Sequence, residues 1–385
     1  MTPGARVAAA IEVLDQIADG RPAEQALTRW ARGNRFAGSK DRAAIRDHVF
    51  DVLRQKRRAA AVGGGQSGRA LMIGALRLAG ADLASLFDGQ GYGPAPITPD
   101  EIPQSAPLTQ AEEWDLPDWL VPLFQDSLGD DAGACAKALQ QRAPITLRVN
   151  LAKTTRDQAI EALTAEGIDV RLNPLSDAAL SVTQGARKIR NSTAFTTGLI
   201  ELQDAASQAV VQQLPQGGRV LDYCAGGGGK ALALAMTHQN TVFAHDIDPA
   251  RMQDLPTRAL RAGAQVTLLE TQQIAGQAPF DLVLCDAPCS GSGAWRRAPE
   301  GKWTLTPERL DELTKIQDDV LTRAMSLTAP GGVLAYATCS VLSVENTQRI
   351  DAFLARNLDW TCRFHRQFLV GDDGDGFFVA HLTRA

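Results

Sequence analysis

The stretch Arg219-Val220-Leu221-Asp222-Tyr223-Cys224-Ala225-Gly226-Gly227-Gly228-Gly229-Lys230 reads as a short buried strand running into a glycine loop, and Ala231 to Met236 continues it as a helix. In such a unit the backbone N–H groups of the loop and the positive end of the helix dipole can hold an anionic group, and glycine lets a ligand approach the backbone closely. The loop is neither the spaced GxGxxG fingerprint nor a P-loop, since no Ser or Thr follows Lys230. Working outward, Val242 to His245, Gln265 to Leu269, Phe280 to Cys285, Gly332 to Ala337 and Phe377 to Leu382 read as further strands with helices between them. The alternation predicts an α/β fold with a doubly wound parallel sheet.

Chemistry in such folds sits where the strands end. Two cysteines fall there, Cys289 in Asp286-Ala287-Pro288-Cys289-Ser290-Gly291-Ser292-Gly293 and Cys339 in Ala337-Thr338-Cys339-Ser340. Asp246 ends the strand after the glycine loop, where a carboxylate can accept hydrogen bonds from a ribose diol. Nearby Asp248 competes as the cap of the helix containing Arg251. A nucleoside-bearing cofactor without a pyrophosphate fits this arrangement.

At 385 residues the chain exceeds one compact core, and two or three domains are expected. Six cysteines, at positions 135, 224, 285, 289, 339 and 362, have neither the density of a disulfide scaffold nor paired CxxC spacing, so no metal and a reducing, cytoplasmic setting are expected. No uncharged apolar run reaches the roughly 18 residues of a membrane span. The net charge of −5 conceals an asymmetry: residues 1 to 75 carry 13 Lys+Arg against 7 Asp+Glu. A basic head on an acidic body suggests a nucleic-acid partner. Its densest cluster, Arg54, Lys56, Arg57 and Arg58, is a candidate RNA contact and equally a set of cations ending a helix.

The head, residues 1–90, reads as all-helical. Val7, Ile11, Leu14 and Ile17 recur at helical spacing, as do Ile45, Val49, Val52 and Leu53 in a helix expected over Asp41 to Lys56 after a cap at Ser39. A glycine-rich break at Gly63 to Gly68 precedes another helix expected over Arg69 to Phe87. Prolines 94, 96, 99, 103 and 107 mark a linker over 91–113. Residues 114–200 mix helical and strand patterns, a small α+β unit, and 201–385 form the α/β domain. Arg148, in the strand-like Ile145 to Asn150, is a candidate RNA contact or a structural ion pair.

The glycine-loop motif, the Asp-Ala-Pro-Cys motif and Tyr336-Ala337-Thr338-Cys339-Ser340 followed by Glu345-Asn346 together resemble the Nop/Sun family of S-adenosylmethionine-dependent RNA 5-methylcytosine methyltransferases. Further matches are Phe195-Thr196-Thr197-Gly198 with Gln203-Asp204-Ala205-Ala206-Ser207, Arg296-Arg297 to Lys302-Trp303, and Gly374-Asp375-Gly376-Phe377-Phe378. The head is similar to the NusB-like RNA-binding domain of the bacterial Sun/RsmB-like subgroup, which acts on small-subunit ribosomal RNA. The family usually carries Ala-Pro where this chain has Gly226-Gly227, which predicts a looser loop.

The resemblance implies a Rossmann-like class I methyltransferase domain, a monomer acting on RNA, and S-adenosyl-L-methionine as cofactor. The cofactor would be held by Cys224, Ala225, Gly226, Gly227, Gly228, Gly229, Lys230, Asp246, Arg251, Glu270 and Asp286. It makes Cys339 the nucleophile and Cys289 the thiol that helps resolve the adduct, with Asp286 at cytosine N3 and Lys230 supporting the pyrimidine or cofactor. The chemistry requires a thiol, because carbon 5 of cytosine is a poor nucleophile until a thiolate adds at carbon 6. Arg296 and Arg297, with Trp295 and Trp303, offer cationic and stacking surface for a flipped base. Two rival readings stand beside this one: an N-methyltransferase acting on a base amine, which needs no thiol, and a non-catalytic RNA-binding factor.

Overall fold

The computed structural model describes residues 1–101, 107–237 and 239–384, so Pro103 of the expected linker lies outside the described residues. The chain divides into two compact units. The first comprises Met1–Gln125, Gly129–Arg142 and Trp295–Thr304, and the second Asp126–Leu128, Ala143–Ala294 and Leu305–Ala385. These units do not follow chain order, because a segment can pack with residues remote from it in sequence. Among the described residues no helix is long and apolar enough to cross a membrane.

The first unit is helical. Val7 and Leu14 enter its core with Ile45, Val49 and Leu53, while Ile11 and Ile17 pack at the edge. Helices Lys56–Gly63 and Gly68–Leu78 cross at glycines: a Cβ on Gly63 would meet the Ala70 carbonyl at 1.9 Å, and one on Gly74 the Ala59 carbonyl at 1.9 Å. Only glycine permits that approach. The expected helix 41–56 is Ser39–Arg54. Ser39 lies inside it, and the Asp41 carboxylate accepts from the Gly38 N–H instead. The expected helix 69–87 is two helices, Gly68–Leu78 and Leu83–Leu86, parted at Gly80 in the left-handed region and restarted by the Asp82 side chain capping Ala84.

Residues 295–304 belong to this helical unit despite lying between strands of the α/β domain in sequence. Lys302 Nζ donates to the Arg54 carbonyl at 2.9 Å and Trp303 Nε1 to the Leu53 carbonyl at 2.7 Å. The Glu300 carboxylate accepts from the Ala23 N–H at 2.9 Å.

The second unit holds two sheets. Strands β1 (Thr146–Val149), β2 (Val170–Leu172), β3 (Ala179–Val182) and β4 (Ile200–Leu202) form an antiparallel sheet in the order β2-β3-β1-β4. Strands β5 (Gly218–Asp222), β6 (Asn240–Ala244), β7 (Val266–Leu268), β8 (Phe280–Asp286), β9 (Thr328–Thr338), β10 (Trp360–Phe368) and β11 (Phe377–Arg384) form a sheet in the order β10-β11-β9-β8-β5-β6-β7. The five strands from β9 to β7 are parallel. Strand β11 is antiparallel to β9 and β10 antiparallel to β11, so the expected doubly wound parallel core carries two antiparallel strands at one edge. Strand β10 is not among the strands the sequence predicts, because Thr361, Arg363, His365, Arg366 and Gln367 are half-buried or exposed on an edge strand and mask its period.

Side chains alternate across this sheet as the pleat requires. Val220, Val242, Leu282, Leu284 and Ala335 pack against the face covered by helices Ala205–Gln212, Gly229–Leu234 and Leu255–Ala262. Leu221, Phe243, Val283, Leu334 and Tyr336 pack on the other face with Leu321, Ala324, Ile350 and Phe353. Burial on both faces fixes the register, and with it the positions of the residues that follow β5, β6, β8 and β9.

Candidate functional site

The loop after β5 is shaped by two left-handed glycines, Gly226 at φ 51° and Gly228 at φ 76°. Gly228 is also sterically closed, since a Cβ there would lie 2.4 Å from Leu255 Cδ1. The Asp246 carboxylate fastens the loop to the end of β6, accepting from the Gly226 N–H at 2.8 Å, the Asp248 N–H at 3.0 Å and Arg251 Nη1 at 3.2 Å. Asp248 caps the turn Pro249–Met252 through the Ala250 N–H, so the two aspartates do separate work. The loop is thus pinned at Gly226.

Tyr223, Cys224, His245, Asp246, Arg251 and Pro288 line an open pocket of about 180 Å³ beside this loop, walled on one side by Ile316 and Val320 of helix Pro307–Leu327. His245 is fixed there by its Nδ1–H to the Tyr223 carbonyl at 2.8 Å and its other ring nitrogen to the Thr271 hydroxyl at 3.0 Å, and it stacks on Tyr223. Burial pushes the Cys224 thiol up, with Asp222, Asp286 and Asp246 adding to it, so its sulfur is held protonated. Glu270 does not line the pocket: it is exposed, starts helix Thr271–Gln277 and accepts from the Gln272 side chain.

Lys230, on the first turn of helix Gly229–Leu234, places its ammonium 2.7 Å from Asp286 Oδ2 at the end of β8 and 4.9 Å from the Phe377 ring centroid. Burial alone would lower the Lys230 pKa, but the charge and hydrogen bond of Asp286 overcome it, with Cys339 and Asp222 helping, so the net shift is upward. Asp222, at the end of β5, is fully buried and neither carboxylate oxygen has a hydrogen-bond partner. Burial and the nearby Asp286 push its pKa up to about 7, against the pull of Lys230.

Cys289 Sγ and Cys339 Sγ lie 3.4 Å apart, both as free thiols. Cys289 is pushed well above the ordinary thiol range by its hydrogen bond with Cys339, by burial and by the charges of Cys339 and Glu345. The turns carrying them meet at Glu345: its carboxylate accepts from the Ser290 N–H at 2.7 Å, the Ser290 and Ser340 hydroxyls at 2.5 Å each, and Gln317 Nε2 at 3.1 Å. The structure therefore brings together Lys230, Asp286, Cys289 and Cys339, with Asp222 and Glu345 beneath them. Among the described residues no cluster of His, Cys, Asp and Glu could hold a metal ion.

The cations named as candidate RNA contacts have structural partners or burial of their own. Arg54 is buried and donates to the Arg296 carbonyl at 2.8 Å and to Asp51 at 2.8 Å. Arg57 pairs with Asp118 at 2.8 Å, Arg58 donates to Gln140 at 2.8 Å, and Lys56 is half-buried with its ammonium 5.7 Å from the Trp303 ring centroid. Arg296 is buried and Arg297 exposed. Arg148 is buried in β1, donating to the Gln203 side chain and to the Gly229 carbonyl at 2.8 Å, so it braces the start of the helix that carries Lys230.

Asp222 and Glu345 are the residues to which the sequence reading gave no role. The signal for Asp222 was its place at a strand end before the glycine loop. For Glu345 it was a carboxylate within six residues of Cys339.

Residues 209–383 match the family described as 16S rRNA methyltransferase RsmB/F, and residues 116–188 match the ferredoxin-like domain of RsmF/B-like methyltransferases. The chain is 34% identical over 291 residues to ribosomal RNA small subunit methyltransferase B of Cronobacter sakazakii, covering 71% of this chain and 68% of that protein. It is 34% identical over 286 residues to the protein of the same description from Klebsiella pneumoniae, covering 70% of this chain and 66% of the relative, just under two thirds of its length. The fold superposes on the crystal structure of PH0851 with a TM-score of 0.76 at 22% identity, over 100% of this chain and 99% of that one. With a Rossmann-like sheet that ends in a glycine loop and two thiols, the chain belongs to the RsmB/F family of methyltransferases.

Proposed function

We propose that this protein is an S-adenosylmethionine-dependent methyltransferase acting on carbon 5 of a cytosine in small-subunit ribosomal RNA, through a covalent adduct of Cys339 at carbon 6. The observation that carries the reading is the approach of the two sulfurs to 3.4 Å beside the Lys230–Asp286 pair. Methylation of a base amine would need no thiol.

The pocket residues fit the cofactor. Gly226 and Gly228 keep the loop free of side chains, and the Asp246 carboxylate, 2% exposed, stands at the strand end suited to a ribose. Cys224 to Gly229, Asp246, Arg251 and Pro288 would hold it, and when bound there it supplies an electrophilic methyl group. The protein's own part begins with the Cys339 thiolate, whose electron pair forms the bond to carbon 6 and shifts density to carbon 5. Lys230 and Asp286 supply a fixed charge pair for the N3 side of the ring, and the proton that Lys230 shares with Asp286 passes through that carboxylate to N3 as carbon 6 is attacked and returns by the same route when the adduct collapses. After carbon 5 has gained its methyl group it must lose its proton to a base, and the carbon 6–sulfur bond breaks with its electron pair returning to Cys339. Cys289, held as a thiol 3.4 Å from Cys339, is poorly suited to attack; in the breakdown it gives its proton to the departing Cys339 sulfur and takes the carbon 5 proton in exchange.

Purified protein incubated with small-subunit ribosomal RNA and methyl-labelled S-adenosylmethionine should yield labelled 5-methylcytidine on nucleoside analysis. A labelled N-methyl base would establish the amine rival, and RNA binding without label the non-catalytic one.

A further inference from the structure

We propose that Glu345 is a positioning residue: its buried carboxylate fastens the turn after Cys289 to the turn after Cys339 and so sets the approach of the two sulfurs. The inference rests on reading those cysteines as the reacting thiols. An ionised carboxylate has about four acceptor sites. Here one oxygen takes the Ser290 N–H and Gln317 Nε2, and the other takes the hydroxyls of Ser290 and Ser340. Ser290 follows Cys289 directly and Ser340 follows Cys339 directly.

A clasp is needed at this point because the β8–β9 register ends with Asp286 opposite Ala337 and one further bond, Ala287 N–H to the Ala337 carbonyl. Past it the two chains carry the cysteines on turns. The Gly293 N–H still reaches the Cys339 carbonyl at 3.0 Å, and the Ser292 hydroxyl accepts from the Val341 N–H at 2.9 Å and meets the Ser340 hydroxyl at 2.9 Å, so one side of the turns is joined there. Glu345 closes the other side and ties both turns to Gln317 on helix Pro307–Leu327, which walls the pocket. Its own place is fixed by the Tyr336 hydroxyl, which donates to the Glu345 carbonyl oxygen at 2.7 Å. At 0% exposure the carboxylate has no solvent to replace a lost partner. Its charge also helps keep Cys289 protonated.

The test uses Glu345→Ala and Glu345→Gln in the full chain, with thermal unfolding as the check on folding. Glu345→Ala is expected to lower kcat by about 100-fold, the cost of a misplacement near 1 Å, while KM and S-adenosylmethionine affinity stay unchanged. Glu345→Gln should recover much of the loss, because its amide can donate to the two hydroxyls once they rotate to accept. A second readout does not depend on any methyl transfer. Diamide should convert Cys289 and Cys339 to a disulfide, the two thiol hydrogens passing to its azo nitrogens, and peptide mapping gives the rate. That rate should fall in Glu345→Ala and return in Glu345→Gln. Wild-type rates of both turnover and disulfide formation in a folded Glu345→Ala would overturn the proposal. If that variant does not fold, the double variant Ser290→Ala, Ser340→Ala keeps the carboxylate and removes both hydroxyls that donate to it, together with the bonds those hydroxyls accept from the Ser292 and Leu342 N–H groups, and a wild-type disulfide rate in it would overturn the proposal equally. Should the native protein transfer no methyl group at all, the disulfide rates still decide the positioning role, and the proposed reaction alone fails.

Discussion

Lys230 Nζ and Asp286 Oδ2 meet at 2.7 Å between the first turn of the glycine-loop helix and the end of β8, with the lysine side chain 8% exposed and the aspartate 31%. An ammonium so enclosed keeps its proton because the carboxylate faces it, and the pair then brings a fixed dipole to the mouth of the thiol site without reorganisation. Burial raises the Asp222 pKa, with Asp286 adding to the shift and Lys230 opposing it, so Asp222 belongs to the same electrostatic cluster as the pair.

Replacing Lys230 with Met should abolish methyl transfer and destabilise the fold. Breaking a fully buried pair typically costs about 3–5 kcal/mol, and the partial exposure of Asp286 puts the expected loss below that range. The double variant Lys230→Met, Asp286→Asn should regain stability and not activity. Denaturant titration of the four proteins reads the coupling, and additive losses would dissolve the pair as a unit.

Asp222 makes stability depend on pH in a stated direction. Its folded pKa of about 7 lies above the usual 3.8, so the native state binds this proton more tightly than the unfolded chain. The stabilisation is complete below the unfolded value and is lost as pH rises from about 4 through about 7. Asp222→Asn should therefore be more stable than the native protein at pH 8, by an amount on the order of a few kcal/mol read by denaturant titration, and the gap should close on acidification to pH 4. A gap that widens on acidification would reverse the assignment.

The parallel strands and the thiol site were legible because both are local in sequence: apolar runs of strand length, each ending in a glycine, a proline–cysteine or a threonine–cysteine. What escaped was non-local. Strand β10 is recognisable only through its antiparallel partner β11, which covers one side of it. The Arg54 to Arg58 cluster looked solvent-facing because its partners, Arg296, Asp118 and Gln140, are between 61 and 242 residues away in the chain. Glu345 needed three dimensions for the same reason, since Ser290 and Gln317 are remote from it in sequence.

The two thiols should separate by variant. Cys339→Ala should abolish both methyl transfer and any covalent RNA complex, since no bond to carbon 6 can form. Cys289→Ala should still form the adduct and stall in releasing it, leaving a protein–RNA species on denaturing electrophoresis. The swapped pattern would make Cys289 the nucleophile.

RNA affinity in the helical unit should depend on cations other than the densest cluster. Arg54, Arg57 and Arg58 are engaged with Asp51, Asp118, Gln140 and the Arg296 carbonyl, so their guanidinium groups are committed to packing. Arg29 and Arg32 on helix Ala23–Gly33, Arg35 after it and Lys40 at the start of helix Ser39–Arg54 are exposed, as is Phe36 at 74%. Four exposed cations and an exposed aromatic ring within one short stretch of chain suit a phosphate backbone with an unstacked base. Reversing these four charges to Glu should weaken ribosomal RNA binding and flatten its dependence on salt, by about 0.7 in the log–log slope for each single-stranded phosphate that is no longer neutralised. Stability and S-adenosylmethionine affinity should hold. Arg54→Ala should do the opposite, lowering the melting temperature through loss of its bonds to the Arg296 carbonyl and Asp51 and leaving the salt slope of the surviving folded protein intact. An unchanged slope in the charge-reversed variant, measured by fluorescence anisotropy across salt concentrations, would remove this surface from RNA recognition.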